Sequence, residues 1–187
     1  MPAFFLTLLA CALATLAGRD AVRVAQLAGT LGSGAGLWLV IIVSSIATSA
    51  LAAWLGSLLA PSMEPAAKNV FLALALGLTA LELLVRRAPR KPAEPTRSLG
   101  AILLVQLASQ MTDGVRFLVL AFSTALAAPG LAAAGGALAS ILVLSAAMMV
   151  QEDWEARLPS RAIRWGAAAI FFLAACAVAI SALGLAK

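Results

Sequence analysis

The chain has 187 residues and a formal net charge of +5; 63% of its residues are hydrophobic and 11% are charged. A soluble domain of this size cannot bury so much apolar surface, so the composition excludes a water-soluble globular protein and indicates an integral membrane protein. Histidine and tyrosine are absent, and both cysteines, Cys11 and Cys176, lie within apolar stretches. We therefore expect no enzyme activity, no zinc-type metal chemistry and no disulfide framework.

Six apolar stretches are long enough to cross a bilayer, which takes about 20 helical residues each. In chain order they are residues 2–31, 37–60, 66–85, 99–128, 131–150 and 163–185. They predict an all-α membrane protein with six transmembrane helices. As one straight helix the first stretch would measure about 45 Å, so a tilt or a break is expected there and in the fourth stretch. Gly18 and Gly114 stand beside charged residues at these places.

Basic residues cluster in two of the connections between spans. The first cluster comprises Arg86, Arg87, Arg90, Lys91 and Arg97, and the second comprises Arg157, Arg161 and Arg164. The positive-inside rule predicts that the connections at 86–97 and 151–164 are cytoplasmic, with both termini outside. The cations form no stripe interleaved with aromatic residues, so the predicted partner is the lipid bilayer and not nucleic acid. We expect a bacterial inner membrane; a homo-oligomer is left open.

An internal repeat links the first and fourth spans. The segment DAVRVAQLA at 20–28 aligns without a gap with DGVRFLVLA at 113–121, sharing Asp-x-Val-Arg-x-x-x-Leu-Ala. Each copy precedes a glycine-containing turn and another span, which predicts two three-helix units, 1–86 and 98–187, joined by the basic linker 87–97. Because three is an odd number of crossings, the second unit would be inverted. Binding sites in such repeats lie at the interface between them.

The repeated motif resembles that of the six-helix manganese/calcium–proton exchangers of Golgi and bacterial membranes, the Gdt-one type or uncharacterised protein family sixteen. Those proteins carry Glu-x-Gly-Asp-Lys-Thr in the first helix of each repeat. Asp20 and Asp113 match its aspartate, whereas Ala17 and Gln110 occupy the glutamate positions. The resemblance implies a secondary transporter that exchanges an inorganic cation, manganese-like or calcium-like, for protons, with no cofactor besides the transported ion.

The same resemblance implies roles for individual residues. Asp20 and Asp113 would approach each other and bind the metal cation and the proton alternately, while Gln110 and Thr112 would supply neutral oxygen ligands. Three arginines share the region: Arg19, Arg23 and Arg116. They would set selectivity or act as charge partners, since two aspartates against three arginines leave a formal balance of +1.

Other interpretations of the charged motif remain open. Asp113 and Arg116 have the spacing of an i to i+3 ion pair that neutralises itself within one helix, and Asp20 and Arg23 repeat it. A second possibility is an anion or small zwitterion transporter that binds its substrate through Arg23 and Arg116. A third is a transport-inactive membrane paralogue that acts as a partner subunit.

Further polar residues lie within the spans. Gln106 and Gln110 share a helical face with Asp113, which predicts either a polar track or hydrogen bonds between helices. The second span holds four hydroxyl residues, which suit a close helix contact or, alternatively, substrate coordination: Ser44, Ser45, Thr48 and Ser49. Glu82 lies one turn before Arg86, the spacing of an interfacial i to i+4 pair.

Overall fold

A computed structural model describes residues 1–85, 97–154 and 160–184, and the regular structure in these ranges is helical throughout. The helices in the described ranges are α1 (Pro2–Ala17), α2 (Arg19–Leu31), α3 (Ala35–Leu59), α4 (Pro65–Val85), α5 (Leu99–Met111), α6 (Gly114–Leu126), α7 (Pro129–Val150) and α8 (Ser160–Ala182). Short 3-10 turns at Ala60–Ser62 and Gln151–Asp153 follow α3 and α7. The prediction of an all-α protein is confirmed. Apart from Arg97, the linker predicted at 87–97 lies outside the described residues, as do Arg86 and Arg157.

Four helices, α3, α4, α7 and α8, are each long and apolar enough to cross a membrane. The pairs α1–α2 and α5–α6 pass the same test together but are bent by 58° and 56°, so counting each bent pair as one span gives six. Breaks therefore occur in both stretches that are too long for one straight helix, as predicted. The first lies at Gly18 and the second at Thr112 and Asp113.

Backbone conformation explains why the helices end where they do. Gly18 is extended, with φ −82° and ψ 168°, which interrupts the ladder of helical hydrogen bonds. A Cβ atom at Gly18 would lie 2.9 Å from the carbonyl oxygen of Ala14, so this turn of the chain favours glycine. At the second break Asp113 is extended, with φ −98° and ψ 146°, and occupies the N-cap position of α6.

Two apolar clusters hold the helices together. The larger joins α1, α4, α6 and α8 to parts of α3 and α7, and the smaller joins α2, α5 and the remaining parts of α3 and α7. Close backbone contacts support the packing, because a Cβ atom at Gly135 would lie 2.5 Å from the carbonyl oxygen of Phe4. Many leucines face outward, as expected for helices that contact lipid.

The ends of four helices meet at one end of the molecule, which we call the Gly32 end. There α2 ends, α3 and α5 begin, and α7 ends. A Cβ atom at Gly36 would lie 2.6 Å from a methyl group of Leu99, which brings the starts of α3 and α5 together. The 3-10 turn at Gln151–Asp153 packs against α2. These four helices therefore share one level at the Gly32 end.

Candidate functional site at the two helix breaks

The two copies of the motif are in direct contact. Ser109 donates a hydrogen bond of 2.7 Å to the carboxylate of Asp20, which joins α5 to α2. Arg19 Nη2 donates to the hydroxyl oxygen of Thr112 at 3.5 Å. This bond joins the residue after the first break to a residue at the second break. Polar side chains of both motif copies thus form one site where the broken helices meet.

Asp20 lies in the first turn of α2 and is only 3% exposed. Its carboxylate benefits from the positive end of the helix dipole as well as from the Ser109 hydroxyl. Arg23 Nη1 lies 3.8 Å from Asp20 Oδ1, an ion pair one turn apart on the same helix. The i to i+3 pair suggested by the sequence therefore forms in the first copy of the motif.

Arg116 is buried in α6 and donates to three neutral oxygens on three other helices. Its Nε atom donates to Thr48 Oγ1 of α3 at 2.7 Å, and its Nη1 atom to Ser140 Oγ of α7 at 3.0 Å. The Nη2 atom donates to Gln110 Oε1 of α5 at 3.2 Å. Neither carboxylate oxygen of Asp113 lies within 4 Å of this guanidinium, so the predicted ion pair does not form in the second copy. Arg116 instead fixes four helices around the second break.

Asp113 faces an acidic residue of α4. The carboxyl group of Asp113 lies next to that of Glu82, and we call these two residues the acid pair. Two adjacent carboxylates repel each other when both are ionised, so this arrangement favours a proton on one of them. Glu82 Oε2 also accepts the backbone N–H of Gly114 at 2.7 Å. The acid pair is thereby anchored to the first residue of α6.

Gly114 makes room for the acid pair. A Cβ atom there would lie 2.7 Å from Glu82 Oε2 and 3.0 Å from the hydroxyl oxygen of Thr79. Thr79 donates to the carbonyl oxygen of Ala75 at 2.8 Å and lies one turn before Glu82 on α4. Two carboxyl groups and one hydroxyl oxygen therefore converge beside the second break.

Gln110 and Thr112, predicted as neutral ion ligands, both contact arginines. Gln110 Oε1 accepts from Arg116 and, at 2.9 Å, from the hydroxyl of Thr48. The Thr112 hydroxyl donates to a carbonyl oxygen in the preceding turn of α5 at 3.1 Å and accepts from Arg19. Their oxygens thus hold the arginines in position.

Sequence reasoning assigned Glu82 a local pair with Arg86, which lies outside the described residues, and missed its place in the site. The packing of α4 against α6 brings Glu82 to the second break. With Glu82 included, three carboxylates and three guanidiniums surround the breaks, so the formal balance falls from +1 to zero. In the part of the chain that is described, no three His, Cys, Asp or Glu residues lie close enough to hold a metal ion. A bound cation would need neutral oxygens beside the acid pair.

Eight buried side-chain atoms in the described ranges have no hydrogen-bond partner in the protein. They are Arg19 Nε, Arg23 Nη1, Gln26 Oε1, Ser45 Oγ, Ser49 Oγ, Gln106 Nε2, Gln110 Nε2 and Ser145 Oγ. Each such atom costs about 1–3 kcal/mol when it stays unbonded. All eight belong to α2, α3, α5 and α7, so the unsatisfied polarity is confined to one group of helices.

No family model, curated protein or solved structure matches this chain. The side chains of the site offer an acid pair that can hold a proton, a third buried carboxylate, and an arginine that ties the breaks together.

Proposed function

We propose that the chain is a secondary transporter that exchanges an inorganic cation, manganese-like or calcium-like, for protons. The observation that carries this proposal is the juxtaposition of two carboxyl groups, those of Asp113 and Glu82, at a helix break, where Glu82 also accepts the Gly114 N–H. A shared proton holds such a pair together, because two adjacent carboxylates repel each other when both are ionised. A hard cation takes oxygen ligands from both carboxylates and replaces the proton. Proton and cation would then compete for one site.

We further propose that two inverted three-helix repeats form the transporter. The similar bends of 58° and 56° at the two copies of Asp-x-Val-Arg support this arrangement. Broken helices at the interface between inverted repeats are the usual place where secondary transporters bind ions. In the same proposal the protein lies in a bacterial inner membrane with both termini outside and the basic connections in the cytoplasm.

Asp20 has a separate role in the proposed exchange. Replacing one proton of the acid pair by a divalent cation adds one positive charge to a site already rich in arginine. In the proton-loaded form Asp20 would be neutral, and release of its proton would keep the charge constant and give the ionised form that pairs with Arg23. Its contacts with Ser109 and Arg23 would stabilise the ionised form that results.

The proposal is tested in proteoliposomes that contain a pH-sensitive dye and face a manganese gradient. We expect manganese entry to drive protons out. Glu82→Gln and Asp113→Asn should each lower this coupled flux about tenfold or more, since each removes a charged ligand contact of about 1.5–3 kcal/mol. Glu64→Gln is the matched control and should behave as wild type. Glu64 is an exposed acidic residue just before the start of α4, at the opposite end of this helix from Glu82. Wild-type flux in both acid-pair variants would contradict the proposal.

A second candidate function is transport of a small anion. Arg116 has only neutral acceptors within hydrogen-bonding distance, and Arg23 Nη1 has none. The same vesicles distinguish the two candidates, because flux that follows an anion gradient and ignores manganese would favour the anion. A folded protein that transports neither ion would instead favour the transport-inactive partner subunit.

A further inference from the structure

The register of α3 and α5 places their polar residues at matching levels. Both helices begin at the Gly32 end, where Gly36 faces Leu99, and further along Thr48 bonds Gln110. The two residues of each contact are separated by nearly the same number of positions along the chain. The two helices therefore run parallel, and the register between them is constant. Gln106, one turn before Gln110, therefore lies level with the serines that precede Thr48 by about one turn, Ser44 and Ser45.

The other two helices run the opposite way along this pair. Asp20 of α2 contacts Ser109 of α5, and α2 then continues toward the Gly32 end. Arg23 thus comes level with Gln106, and Gln26 lies one turn closer to the Gly32 end. On α7, Ser140 shares the Arg116 guanidinium with Thr48, and Ser145 lies five residues closer to the Gly32 end, near the level of Arg23.

Together these residues form a series of three levels, which we call the polar column. From the Gly32 end inward, its levels are Gln26, then Arg23 with Ser45, Gln106 and Ser145, then Asp20. The four helices that contribute them form a closed ring, since α2 packs on α7, α7 on α3, α3 on α5, and α5 on α2. Except for Asp20, each of these side chains has a buried atom without a hydrogen-bond partner in the protein. Unsatisfied polar atoms thus occur at successive levels of one ring of helices.

A cavity lies at the Gly32 end, one helical turn beyond the outermost level of the polar column. This cavity has a volume of about 510 Å³ and is lined by residues of α2, α3 and α5 and the segments beside them, including Thr30, Gly36, Arg97 and Ile102. Ile102 lies one turn before Gln106, and Thr30 lies one turn beyond Gln26. The cavity therefore begins where the polar column ends.

We propose that the polar column is hydrated, with water molecules bonded to its unpartnered atoms from the cavity inward to Asp20. Buried polar atoms in a membrane protein need such partners, because lipid provides none. Through this water Asp20 would exchange its proton with the aqueous phase at the Gly32 end; this last step rests on the proposed function. The polar column is distinct from the acid pair, which lies between α4 and α6.

Thiol accessibility tests the hydration directly. In a background with Cys11→Ala and Cys176→Ala, single cysteines replace Ser45, Gln106 or Ser145. Matched controls carry the cysteine at a nearby lipid-facing position, at Ile46, Val105 or Leu142, which are 51%, 55% and 57% exposed. The reagent is a membrane-impermeant alkylthiosulfonate whose sulfonate group is negatively charged. A negative charge suits this route, because it passes two arginines, Arg97 and Arg23, and one aspartate, Asp20. It is added to one side of oriented vesicles at a time.

We expect the three column cysteines to react from the side of the Gly32 end about tenfold faster than their controls or more, because a thiol in hydrocarbon stays protonated and unreactive. Equal reaction at column and control positions in protein that elutes as a folded species would overturn the proposal. Labelling from the opposite side alone would overturn it as well. Repeating the experiment with Glu82→Gln separates the two proposals, because the labelling should persist when coupled transport is lost.

Discussion

The two helix breaks carry the same motif and have different surroundings. At the first break Asp20 pairs with Arg23 on its own helix. At the second break Asp113 lies beside Glu82 of a neighbouring helix, and Arg116 donates to neutral oxygens. The difference shows that the four residues Asp-x-Val-Arg do not decide the chemistry of either break. The helices packed against each break decide it.

The helix α4 is the source of the asymmetry. It carries Glu82 to the second break, whereas α8, the third helix of the second half, contains no acidic residue between Ser160 and Ala182. The first break therefore has no acid pair of its own. Its helix α2 instead borders the polar column, so one break would hold the exchanged proton and cation while the other would give access to water.

Replacing the two motif arginines should produce the largest difference between the breaks. Arg116→Met removes three hydrogen bonds that join four helices and leaves the three acceptor oxygens without this donor. We therefore expect the free energy of unfolding to fall by about 2–4 kcal/mol. Arg23→Met breaks one ion pair within α2 while Asp20 keeps its hydrogen bond from Ser109, so the loss should be smaller. Thermal unfolding in detergent, followed by tryptophan fluorescence, measures both. Equal losses would contradict the difference that we infer between the breaks.

A smaller effect is expected from filling the space beside the acid pair. Gly114→Ala places a methyl group 2.7 Å from Glu82 Oε2, so the glutamate must shift away from Asp113. We expect a destabilisation of the acid pair of about 1–2 kcal/mol and a matching drop of roughly tenfold in manganese-driven proton release. Gly166→Ala in α8, where an added methyl group meets nothing within 4 Å, is the control and should leave transport unchanged. Identical behaviour of the two variants would place the exchange site elsewhere.

Much of the fold could be predicted from the sequence. Apolar stretches indicate membrane spans because the hydrocarbon core of a bilayer favours apolar side chains. Stretches too long for one straight crossing indicated the two breaks. The repeat also led us to expect that Asp20 and Asp113 approach each other, and the residues that precede them, Arg19 and Thr112, are in contact. These features follow from local composition and from the geometry of helices, which a linear pattern records.

The partners within the site could not be predicted in the same way. Glu82 has a basic residue at helical spacing, so the linear pattern favoured an interfacial pair, and only the packing of α4 on α6 reveals Asp113 as its neighbour. Likewise Thr48 and Ser140 hold Arg116 from two separate helices. Nothing in the spacing along the chain connects those residues, because their proximity arises from tertiary packing.

The central claim is that a cation displaces a proton held between Asp113 and Glu82. Infrared difference spectroscopy of the purified protein in lipid, recorded with and without manganese, tests it directly through the C=O stretch of protonated carboxyl groups. We predict that manganese removes a protonated-carboxyl band from the wild type and that this difference is absent in Glu82→Gln. A wild-type spectrum in which no protonated-carboxyl band changes at saturating manganese would contradict the claim.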